Sequence, residues 1–241
     1  GVISNGSSAA SSLTKSGTGT LTLSGTNTYA GTTTLSGGTL AVAGDAAFGS
    51  STLALGAGTI RGEGGARTIA NSGTLIGNTT FGGAFDLTFT GTLTQTGSRT
   101  LTLANSGLTT FGAIDLSNTV TSRTLTFTGA GDARVTGVIG NGLSPASNLT
   151  KSGTGTLTLD GDNTYGGTTT LSGGTLVING NNTTTGATTL TAGTLIVGSD
   201  TAFGSGNINF AAATLQGDGT PRTIGNTVSL TGNGTIGGAS V

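Results

Sequence analysis

Residues 17–40 read GTGTLTLSGTNTYAGTTTLSGGTL, and residues 153–176 read GTGTLTLDGDNTYGGTTTLSGGTL. The match extends outward from this stretch. Residues 1–41 and 137–177 agree at about 33 of 41 positions, at an offset of 136. The copies then diverge and regain register at DAAFGS, 45–50, and DTAFGS, 200–205, where the offset is 155. The second copy has therefore gained 19 residues. A smaller repeat has the same length. Its Gly-Thr-Leu step begins at Gly19, Gly38, Gly73, Gly91, Gly155, Gly174 and Gly193, with Gly58-Thr59-Ile60 as a variant. Gaining one whole unit and resuming register is natural for a solenoid, in which each turn contacts only its neighbours.

Within the units the pattern is that of a strand. Leu21 and Leu23 alternate with Thr20 and Thr22, and the same alternation recurs over Asp86–Thr90, Thr100–Leu103 and Thr124–Thr128. Alternate residues face opposite sides of a strand, and threonine suits the pleated surface. Glycine-rich steps such as Ser36-Gly37-Gly38 and Gly64-Gly65 separate the runs and supply tight corners. No amphipathic helix of three turns is visible. Short strands also fit an antiparallel sandwich, but near-identical units favour stacking. In a parallel stack, equivalent side chains lie one above another. Leu21, Leu40 and Ile60 then form one interior ladder, Leu23 and Val42 a second, and Leu35 with Leu55 a third. The later copy repeats them as Leu157, Leu176 and Leu195; Leu159, Ile178 and Val197; and Leu171 with Leu190. The predicted fold is all-β: a parallel β-solenoid of roughly a dozen coils at about 4.8 Å each, with a coil period near 19 residues. It runs as one body over 1–241, with superrepeats at 1–136 and 137–241.

Composition narrows the function. The chain has 48 glycines among 241 residues and two prolines. Such a composition also suits disorder, but the regularly placed leucines argue against it. Charged residues make up 7% and nearly balance, so no nucleic-acid partner is expected. Cysteine, histidine, methionine and tryptophan are absent, which removes disulfides and thiolate metal sites. No signal peptide or transmembrane helix is visible. Residue 1 falls at the start of a repeat, so an excised or processed segment is expected.

The stretches Gly17–Leu40 and Gly153–Leu176, with Asn27-Thr28-Tyr29 and Asn163-Thr164-Tyr165 in matching places, resemble the passenger-associated transport repeat, also called the autotransporter-associated β-strand repeat. The resemblance covers about 48 residues directly. It implies a segment of a secreted bacterial passenger or adhesin, folded as a right-handed β-solenoid, at the cell surface or outside it. Such a segment acts as a stalk and aids secretion-coupled folding. The membrane barrel that normally accompanies it is not in this chain. The expected partners are flanking parts of a longer passenger or identical subunits end to end, with surface glycans as a further partner.

Two other readings compete. One is a filament or sheath subunit that stacks end to end, since no polar cap is evident at Gly1 or Val241. The other is a glycan-active enzyme, which needs clustered carboxylates. The acidic residues are scattered, so no catalytic residue, cofactor or metal is expected. Asp160-Gly161-Asp162-Asn163 has the spacing of a calcium-loop start, but its twelfth position is Leu171 and the first copy has Ser24 and Thr26 in the acidic places. Turn chemistry is the expected role. Arg67, Arg99, Arg123 and Arg222 recur in Arg-Thr-Leu/Ile steps and are read as turn caps in preference to a glycan-binding row. Tyr29 and Tyr165 are read as corner covers in preference to sugar-stacking rings. Ice binding needs a threonine pair in every coil, and the pair Thr20/Thr22 is followed by Thr39/Ala41 and Thr59/Arg61.

Overall fold

Leucine–threonine alternation becomes inside–outside alternation. In Thr156–Leu159 the leucines are buried and the threonines partly exposed, and Thr32–Leu35 likewise buries Leu35 under Thr34. The computed structural model describes residues 1–238. The notebook of ends is thus asymmetric: Gly1 is described, whereas the expectation about Val241 lies outside the described residues. Among the described residues there are 25 strands and no helix. Paired strands are parallel and stack as a β-solenoid of about eleven turns.

Each coil has three faces. The first is a seven-stranded sheet that starts at Leu13–Lys15 and ends at Ile139–Gly140. The second and third share an 18-stranded sheet. They are joined by Thr169–Ile178 and Thr188–Val197, ten-residue strands that bend over the corner between them. The bend is a register shift between Leu171 and Thr175.

The coil period is less uniform than the sequence repeat. Thr20 pairs with Thr39 and Thr39 with Thr59, steps of 19 and 20 residues. In the middle the step grows to 22 between Thr79 and Leu101 and to 26 between Arg99 and Leu125. A constant period near 19 therefore holds only where the Gly-Thr-Leu units stack directly. Longer corners, such as 116–123, take up the added residues in the middle.

The wider middle coils are filled by aromatic rings. Phe81 and Phe111 meet edge to face with centroids 5.0 Å apart, Phe89 stacks on Phe111 at 5.8 Å, and Phe127 continues the cluster at 5.9 Å. Elsewhere the interior is aliphatic. Leu21, Leu40 and Ile60 lie in register, as do Leu157, Leu176 and Leu195, and Leu159, Ile178 and Val197. Leu40, Ile60, Leu176 and Leu195 are fully buried. Each such side chain contributes about 1.5–3 kcal/mol. Leu21 is only partly buried, because it belongs to the first full coil and has less of the stack beneath it.

The two copies do not sit on the same faces. Leu13–Lys15 pairs with Thr33–Leu35 in the seven-stranded sheet. Its counterpart Leu149–Lys151 pairs with Thr169–Leu171 on the second face. Thr20–Leu23 lies on the second face, and its counterpart Thr156–Leu159 lies on the third. The 136-residue offset thus spans six coils and one third of a turn. The motif specifies two successive strands and a corner, and any face accepts it.

Candidate functional site

The acidic side chains are spent on the fold. Asp45 accepts a hydrogen bond from the Thr68 amide at 3.0 Å, Asp86 from Leu108 at 2.8 Å, Asp132 from Thr156 at 2.7 Å and Asp200 from Thr223 at 3.2 Å. Each bond links neighbouring coils and satisfies an amide at a strand start, a strong arrangement because the acceptor is charged. Glu63 pairs with Arg61 at 2.7 Å. Asp218 pairs with Arg222 at 2.6 Å. The Arg222 hydrogen bond, helped by the Thr220 amide, holds the Asp218 carboxyl down at about 2.

The doublet with calcium-loop spacing is occupied by protein donors. Asp160 accepts from Arg134 and from Asn179, the latter at 2.8 Å, and Asp162 accepts from the Asn181 amide at 2.7 Å. Among the described residues no three His, Cys, Asp or Glu side chains gather as a metal site. The Arg-Thr arginines do not form a row. Arg67 donates twice to the Glu63 carbonyl, at 2.7 and 3.0 Å. Arg99 reaches the Leu75 carbonyl at 3.2 Å, and Arg123 reaches the hydroxyls of Ser117 and Thr119.

The Asn-Thr-Tyr corners are interior. Tyr29 and Tyr165 are 1% and 2% exposed, which removes them from any sugar-stacking role. Their phenols bond Thr33 at 2.7 Å and Thr169 at 2.6 Å. Burial pushes the Tyr165 phenol up to about 12, against the pull of its bond to Thr169. Asn27 accepts from the Ile3 amide at 2.8 Å and donates to the Ala47 carbonyl at 2.6 Å. In the second copy the inserted coil divides that role. Asn163 accepts from Ile139, while Asn182 donates to Ala202 at 2.6 Å. The Asn163 amide nitrogen Nδ2 is left buried without a partner.

Sequence reasoning missed the lysines. Lys15 and Lys151 are 7% and 1% exposed and stack beneath Leu35 and Leu171. Lys15 Nζ donates to the carbonyls of Ser16, Gly17 and Gly37 at 2.8, 2.9 and 3.0 Å. Lys151 Nζ donates to Ser152, Gly153 and Gly173 at 2.8, 3.1 and 3.3 Å. All three ammonium protons are used, and the third bond ties one coil to the next. Burial lowers the Lys151 pKa, partly offset by the Asp132 charge. Gly38 and Gly174 close the two cages with φ of 65° and 67°. A Cβ at Gly38 would meet the Gly17 carbonyl and Lys15 Nζ. The signal was legible: in Leu-Thr-Lys the lysine occupies the inward position, in both copies.

A second feature was also missed. The first face bears a groove of about 540 Å³ lined by Thr32, Thr52, Thr74, Thr94 and Asp115, among others. Asp115 is the acidic side chain that, among the described residues, makes neither an ion pair nor a hydrogen bond. On the second face the column Thr20, Thr39, Thr59, Thr80 is continuous, but Ala41, Arg61 and Gly82 interrupt the column beside it.

The passenger-associated transport repeat model matches residues 13–42, 149–178 and 173–197, about one third of the chain. The first two matches span the strands that build the lysine cages, and the third spans the inserted coil. Among curated proteins and among solved structures, none matches the chain.

Proposed function

The chain carries three passenger-associated transport repeats, and from that premise we propose that it is a non-catalytic structural length of an autotransporter-type passenger, secreted or held at the cell surface. It serves there as a stalk and as a template on which coils fold in succession during export. The observation that supports this most is the lysine cage, which recurs on two different faces and joins each repeat to the coil above it. A unit of that kind adds stability coil by coil, without a closed core. The scattered carboxylates, nearly all bound to the chain's own amides and guanidinium groups, favour a structural role over catalysis.

The test places the chain between an export signal and a membrane β-barrel and measures surface-exposed, protease-resistant protein. Scrambling 149–197 at constant composition should cut the folded surface yield sharply. An unchanged yield would overturn the reading.

One observation favours a second reading, axial self-association. Val228, Leu230 and Ile236 in the last described strands are 45%, 70% and 64% exposed. They border a hollow of about 240 Å³ with Ile208, Leu215 and Ile224. A further coil or the first coil of another copy would cover this apolar floor. Electron microscopy at several concentrations separates the two. Rods of fixed length favour the stalk, and concentration-dependent fibres favour the filament.

A further inference from the structure

The groove on the first face runs along the solenoid axis, because its lining comes from five successive coils. Register aligns Thr34, Ala54, Thr74, Thr94 and Asp115 in one column. Beside it Thr32 pairs with Thr52, and Ser72 and Thr92 continue that line at intervals of 20 residues. Hydroxyls therefore recur about every 4.7–4.9 Å along the axis, and about 6.6 Å apart across it.

These groups have little to do within the fold. Thr32 and Thr52 approach each other only at 3.5 Å, and Thr74 reaches the Leu53 carbonyl only at 3.5 Å. Among the described residues, the side chains of Ser72, Thr92 and Thr94 make no hydrogen bond. Asp115, at one end of the row, is likewise free. The other eight acidic residues are engaged, so Asp115 stands out as a carboxylate without a structural task.

The chemistry of the groove selects its ligand. No lysine or arginine lines it, and Asp115 would repel an anion, which disfavours nucleic acid, acidic glycans and anionic lipid. Its strands are paired within the face, which leaves no edge for an added peptide strand. A polyol fits. Serine and threonine hydroxyls donate and accept, threonine methyls meet sugar C–H groups, and a carboxylate accepts from two neighbouring hydroxyls.

We propose that this groove binds an extended neutral polysaccharide laid along the solenoid axis. A β-linked hexose chain advances by close to one coil spacing per sugar. The span from Thr32 to Asp115 is four coil steps, roughly 19 Å, and holds about four sugars. Without an aromatic platform a single site is weak, with Kd on the order of a millimolar. Binding gains strength when many copies act together on a long glycan. The proposal goes beyond the structural role above and stands or falls separately from it.

The test titrates the intact chain with hexamers of β-linked glucose and of β-linked N-acetylglucosamine and follows backbone amide signals by NMR. Shifts should concentrate on residues of the first face between Thr32 and Asp115. Asp115→Asn and Thr94→Val should each weaken binding about fivefold or more, the loss expected for one hydrogen bond. Both variants should melt as the parent does, since neither side chain supports the fold. Thr170→Val, on the second face, should bind as the parent. The proposal is overturned if neither hexamer shifts these residues at millimolar concentration, or if Thr170→Val loses as much affinity as Thr94→Val.

Discussion

Lys15 and Lys151 hold the same place in the two copies of the repeat, yet Lys15 lies on the first face of the solenoid and Lys151 on the second. Each nevertheless finds three carbonyls, two from the following corner and one from the corner of the next coil. The cage belongs to the motif and not to the face. Lys151→Met keeps the stem and removes the donors, so three carbonyls lose their partner. Stability should fall by about 1–3 kcal/mol. Lys15→Met should fall less, because Lys15 lies nearer the open first coil. Denaturant unfolding measures both, and equal losses would show that position in the stack does not matter.

Leu176 and Thr22 test which way the strands face. Leu176 is fully buried between Leu157 and Leu195, while Thr22 is exposed. Leu176→Asp places a charge without a partner in an apolar stack and should cost more than about 4 kcal/mol. Thr22→Asp should change stability by about 0.5 kcal/mol or less. Comparable losses in a melting experiment would contradict the facing.

Tyr165 gives the stability an alkaline limit. Its phenol titrates near 12 in the folded chain, above the ordinary value of 10.0. Both states hold the proton below that ordinary value, so stability there is full. Between the two values only the unfolded state releases it, and stability falls by about 1.4 kcal/mol per pH unit. The total is on the order of 2–3 kcal/mol. Lys151 works in the opposite direction, since its lowered pKa makes stability rise as pH climbs toward the usual lysine value. The readout is therefore the difference between the parent and Tyr165→Phe, taken from denaturation midpoints at about pH 8 and about pH 11. The parent should lose more over that interval. Parallel curves would sink the assignment.

The solenoid was legible because its units are nearly identical and their leucines alternate with threonines. The face of each strand was not. A three-sided coil of about 20 residues gives each side only a few, and an offset of 136 looks like whole coils until the registers show six and a third. The middle coils hid their geometry too, since the step of 26 between Arg99 and Leu125 carries no repeat. Lys15 and Lys151 were overlooked because lysine is usually a surface residue. The row Thr32, Thr52, Ser72, Thr92 was visible at constant spacing, but attention to the Thr20/Thr22 pair led to the wrong face.

Asn163 records the insertion of a coil. In the first copy Asn27 both accepts from Ile3 and donates to Ala47. In the second, Asn182 has taken the donor role, and Asn163 Nδ2 is buried without an acceptor. Deleting 173–191 removes one 19-residue unit and joins Ser172 to Ala192, which restores the spacing of the first copy. Asn163 should then face Ala202 as Asn27 faces Ala47. The shortened chain should unfold cooperatively and form a rod shorter by about 4.8 Å. Deleting 173–182 instead removes half a unit, turns the following strands onto the wrong faces and should abolish cooperative unfolding. Circular dichroism melts of the two variants decide the matter. Similar melts would mean that whole-coil register is not what the repeat preserves.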